Sequence, residues 1–90
     1  MRNMNSIGNK YEITVFEWYE KLAKAEKRLS ESIECNRRFG DNEEWIVEDT
    51  EKVNKIKSDI EEVKLKLESM NIQIDYERLK NLANEEIYNQ

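Results

Sequence analysis

The sequence predicts an all-α fold: an antiparallel, coiled-coil-like helical hairpin with a short third helix at its C-terminal end. Three observations predict it. The 90 residues contain no proline and only two glycines, so little in the chain interrupts a helix. Two long stretches carry apolar residues at helical spacing, and only a tight turn around Gly40 separates them. Charged residues make up 39% of the chain and hydrophobic ones 38%, the balance of helices that bury one stripe and solvate the other faces.

Residues 1–10 carry Gly8, three asparagines and no periodic pattern; they are expected to form a flexible tail. Residues 11–90 are expected to form a single helical domain. Its first helix is predicted from about Thr14 to Phe39. Thr14 reads as the N-cap, Glu17 as its capping-box partner, and Ile13 with Trp18 as the hydrophobic staple. Val15, Trp18, Tyr19, Leu22, Ala25, Leu29 and Ile33 then form one stripe at 3.6-residue spacing. Gly40 reads as the C-cap, and Arg37 and Arg38 suit the negative end of the helix dipole. Asp41 or Asn42 recaps the chain at once, so the two helices become antiparallel neighbours.

The second helix, about Asn42 to Ser69, has the clearest pattern. Ile46, Val53, Ile60 and Leu67 step by seven, interleaved with Ile56, Val63 and Met70, and only Asp49 breaks the series. Such a 3.5-residue repeat marks a coiled-coil seam. Same-face pairs such as Glu48–Lys52, Glu51–Lys55 and Glu62–Lys66 read as solvated support for the helix. Val47 and Leu65 fall roughly opposite the seam and ask for a partner unless the third helix covers them. Ile72 and Ile74 alternate with polar residues, as Tyr11, Ile13 and Val15 do, which allows a two-stranded patch. Asp75 is expected to cap a third helix, Tyr76 to about Tyr88, with Tyr76, Leu79, Ala83 and Ile87 on its apolar face.

Composition narrows the function. The chain has no histidine and one cysteine, which leaves out imidazole acid–base chemistry, His-ligated metal and an intramolecular disulfide. Phosphate-cradling glycine loops and nucleotide or metalloprotease motifs are missing from the sequence. Cys35 reads as a spare thiol without an activating base. The expectation is a protein that is not an enzyme, with no cofactor, no metal and no small-molecule substrate. A net charge of −5 argues against direct nucleic-acid binding, which draws its affinity from cations. No apolar run approaches the roughly 20 residues that span a bilayer, and the first ten residues lack an apolar signal core. With a single cysteine, a cytoplasmic location is expected.

One segment stands out. Residues 41–51 hold Asp41, Glu43, Glu44, Glu48, Asp49 and Glu51 with no basic residue, a local charge of −6, leaving +1 for the rest of the chain. Trp45 lies within it, and tryptophan is enriched at binding hot spots. One reading is helix-end chemistry: acids complement the dipole, and Trp45 folds over the turn onto Phe39. That effect fades after one turn, so it covers Glu48, Asp49 and Glu51 less well. The other reading takes Asp41, Glu43, Glu44, Trp45, Glu48, Asp49 and Glu51 as an epitope for a basic surface on a partner protein, of the kind that holds nucleic acid. The Lys-, Glu-, Asn- and Ile-rich composition is that of an AT-rich genome. With the small size and acidity, it resembles that of many small phage or mobile-element proteins, which points to an inhibitor or regulator. The alternative is a homo-oligomeric assembly protein joined through the seam of Ile46, Val53, Ile56, Ile60, Val63, Leu67 and Met70.

Overall fold

The computed structural model describes residues 9–89, of which three α-helices account for nearly all. Helix α1 spans Lys10–Phe39, α2 spans Glu43–Ser69 and α3 spans Tyr76–Tyr88. Among the described residues there is no strand, and no helix is long and apolar enough to cross a membrane. The expected tail falls mostly on residues 1–8, outside the described residues.

Helix α1 begins four residues before the predicted start. Its N-cap is Asn9, whose side chain accepts hydrogen bonds from the amides of Tyr11 and Glu12, both at 3.0 Å. Asn9 Nδ2 donates in return to Glu12 Oε1 at 3.1 Å. This is a side-chain variant of the capping box, on the same i, i+3 spacing read at Thr14 and Glu17. Thr14 therefore does not cap; its hydroxyl donates back to the Lys10 carbonyl at 2.9 Å. The earlier start lets Tyr11 and Ile13 pack onto the core as helical residues, which overrides their strand-like alternation.

The turn behaves as predicted at Gly40, which takes the left-handed conformation (φ 76°) and donates its amide to the Asn36 carbonyl at 2.8 Å. Asn42 caps α2 through its carbonyl, which accepts from the Trp45 and Ile46 amides. Its side chain turns inward and donates to the Ser32 carbonyl at 2.9 Å, clamping the turn to α1. At its far end α2 closes in a Schellman motif: Asn71 is left-handed (φ 60°), its amide bonds the Glu68 carbonyl, and the Ile72 amide bonds the Leu67 carbonyl, each at 3.0 Å. That cap and the connector to Asp75 replace the expected strand pair.

Helix α1 is the central element. It packs against α2 on one side and α3 on the other, while the backbones of α2 and α3 do not approach within 8 Å. The core joins Val15, Phe16, Tyr19 and Leu22 of α1, Val53, Ile56, Ile60 and Leu67 of α2, and Leu79 and Ala83 of α3. The molecule is a slab of 48 × 28 × 15 Å. Helix α3 is docked by polar bonds at both ends: Arg78 Nη2 donates to Glu12 Oε2 at 2.6 Å, and Lys27 Nζ to the Ile87 carbonyl at 3.4 Å. It thus runs parallel to the first half of α1. Beyond its end the α1 stripe is uncovered, and Ile33, expected in the core, is 49% exposed.

Candidate functional site at the hairpin tip

The structure divides the residues of the acidic segment into two groups. Asp41, Glu43, Glu44, Trp45, Glu48 and Glu51 are exposed, whereas Asp49 is only 5% exposed. Asp49 occupies a seam position of the heptad and faces α1. Its Oδ2 accepts the Ser32 hydroxyl at 2.7 Å, and Arg28 Nε lies 3.6 Å from its Oδ1. The expected epitope is corrected by that one residue, because the heptad phase turns position 49 inward. Asp49 joins the two helices and is not part of the outward-facing surface.

The remaining five carboxylates form no ion pair within 4 Å among the described residues. The two cations that precede the segment are engaged elsewhere. Arg37 grips Glu34 through Nε and Nη2 at 3.2 and 2.6 Å, and Arg38 Nε reaches the same carboxylate at 3.2 Å. The hydrogen bond from Arg37 holds the Glu34 carboxyl below its usual range; slight burial opposes this, and Arg38 adds to it. Trp45, within the acidic segment, is 61% exposed, and Phe39, the last residue of α1, is 73% exposed beside Ile33, Cys35 and Arg38. The expected folding of Trp45 onto Phe39 does not bury either ring. Val47 is exposed as well, since α3 lies on the far side of α1 and does not reach it.

The seam residues largely face α1. Val53, Ile56, Ile60 and Leu67 are buried, and Ile46 and Val63 are half-buried. Met70 is corrected out of the seam: it is 47% exposed because it is the C-cap residue of α2, where the helix has already ended.

A second charged feature escapes a reading along the chain. Lys21, Lys24 and Arg28 of α1 and Lys52 and Lys55 of α2 line one groove between the helices, with Ala25 and Ile56 at its apolar part and Asp59 as its acid. The sequence pairs Lys52 with Glu48 and Lys55 with Glu51, but those pairs are not closed to within 4 Å; Lys64–Glu61, at 3.5 Å, is an intrahelical pair of α2 that does form. The clustering depends on helix pairing, which brings together cations 24–34 positions apart. The signal in the sequence is the i, i+3, i+7 spacing of Lys21, Lys24 and Arg28.

At the base of the hairpin, Lys64 Nζ lies 5.1 Å from the centre of the Tyr76 ring. Burial alone would lower the Lys64 pKa, but interaction with Tyr19 and then Glu61 leaves it raised. Burial raises the Tyr76 phenol, with Glu68 adding to it.

No protein-family model matches the chain, and neither a curated protein nor a solved structure is significantly similar to it.

Proposed function

We propose that this protein is a non-enzymatic interaction module that docks its acidic hairpin tip onto a basic surface of another protein and thereby inhibits or regulates it. The observation that carries this reading is the exposed Trp45 ring within a segment of five exposed carboxylates that have no ion pair among the described residues, with Phe39 exposed at the end of α1 just before it. Exposing large aromatic surface has no benefit for the folded monomer, and aromatic anchors ringed by charge are what protein interfaces use. The carboxylates speed encounter and select a basic partner, while the rings supply contact area. A surface that normally holds nucleic acid has the matching charge.

The seam, which by itself suggests self-assembly, packs against α1 within one chain, which favours the tip reading over assembly through the seam.

The test is affinity capture from host lysate by the parent chain, beside Glu44→Lys/Glu48→Lys/Glu51→Lys and Trp45→Ala. All four positions are exposed, so circular dichroism should show unchanged helicity. The expected outcome is a captured basic protein that heparin competes off, lost with the triple reversal and weakened at least about tenfold by Trp45→Ala. Capture that survives the triple reversal overturns the reading.

A further inference from the structure

The acidic tip and the basic groove lie on the same side of α2. Glu44, Glu48, Glu51 and Lys55 follow one another at steps of four, three and four residues, and Lys52 is one turn beyond Glu48. Along this stripe the charge changes sign, from negative at the tip to positive at mid-helix. Helix α1 returns antiparallel and adds Lys21, Lys24 and Arg28 to the positive part. Lys24, Lys52 and Lys55 have no ion pair within 4 Å among the described residues.

We propose that the basic groove receives the acidic tip of a second copy of this chain, in an antiparallel dimer with a two-fold axis crossing α2 between Glu51 and Lys52, which sets Glu51 opposite the partner's Lys52 and Glu48 opposite the partner's Lys55. A two-fold contact is self-complementary only if each surface carries both halves of the interaction, and this one does. Laid antiparallel, each tip faces the partner's lysines; laid parallel, like charges would oppose. Trp45, two turns before Lys52, comes over the partner's groove, where lysines and the apolar Ile56 provide cation–π and packing contacts. A nucleic-acid strand fits less well. The cations from Lys21 to Arg28 span only about 10 Å at 1.5 Å per residue, and a longer polyanion would run onto the tip carboxylates.

This goes beyond the tip reading, because a basic partner would have to displace the second copy. Sedimentation equilibrium at low and high salt tests it. The expected result is a particle of twice 10.9 kDa that dissociates as salt rises. Tip reversal (E44K/E48K/E51K) and groove reversal (K24E/K52E/K55E) should each weaken self-association about tenfold or more. Mixing the two variants should restore a dimer, because both contacts of the heterodimer are then opposite in sign. Should a reversed variant lose helicity, the neutral set K24Q/K52Q/K55Q replaces it, with weakened association still expected. A wild-type chain that stays monomeric at low salt overturns the dimer and leaves partner capture by the tip untouched. So does a mixture that stays monomeric, or a monomer whose groove binds a single-stranded oligonucleotide.

Discussion

Asp49 stands where the heptad would otherwise put an apolar side chain, and its surroundings explain why the break is tolerated. Ser32 donates to it and Arg28 approaches it, so the buried carboxylate keeps polar partners. Asp49→Lys places a second cation against Arg28 in that space and is expected to cost about 3–5 kcal/mol, read as a lower urea midpoint. Asp49→Leu, which continues the seam, is expected to be nearly neutral. Tyr76 presents the opposite case: its hydroxyl is buried without a hydrogen-bond partner. Tyr76→Phe keeps the ring beneath Lys64 and is expected to stabilise by about 1 kcal/mol. The two raised pKa values also give a pH dependence. A neutral Tyr76 and a charged Lys64 are both favoured by the fold. Their contributions are therefore complete below the unfolded values, near 10 for both, and are lost as pH rises through the folded ones. Urea midpoints measured from pH 8 to 11 should fall at the alkaline end, less steeply in Tyr76→Phe.

Helix α3 has 13 residues, too few to hold a helix alone in water. Its stability comes from Leu79, Ala83 and Ile87, one stripe at four-residue steps and nearly inaccessible. Leu79→Ala is expected to cost about 2–5 kcal/mol, measured by thermal denaturation. The Arg78–Glu12 bond is not expected to compensate, since a half-exposed ion pair contributes little. Helix boundaries show what could be read in advance. The start of α3 at Asp75 and the stop of α1 at Gly40 each depend on one local residue and were legible. The start of α1 was not, because Asn9–Glu12 and Thr14–Glu17 have the same spacing. Only the packing of Tyr11 and Ile13 onto the core selects the first. The Schellman turn at Asn71 was missed because alternating Ile72 and Ile74 also fit a strand, and the left-handed residue is an asparagine instead of a glycine.

The whole slab is unevenly supported. The first half of α1 is flanked by α2 and α3, whereas the half from Arg28 to Phe39 has α2 alone and leaves Ile33 and Phe39 exposed. Local opening follows local burial, so amide exchange by mass spectrometry should be faster across residues 30–50 than across residues 12–27 and 53–67. Equal protection of the two regions in the monomer would contradict this picture.

Helix content, the hairpin turn and the seam were written into the chain, because each rests on local chemistry: absent proline, a left-handed glycine and a seven-residue apolar repeat. The same holds for the acidity of the tip and for Trp45 within it. The heptad phase by itself turns Asp49 inward, but the Ser32 hydroxyl that meets it, 17 positions away, could not be read there. Nor could the groove of five cations, which exists because antiparallel pairing sets Lys21, Lys24 and Arg28 beside Lys52 and Lys55. Periodicity reports which face of a helix is buried; the neighbour it is buried against, and the charges that neighbour brings, follow only from how the helices are placed in space.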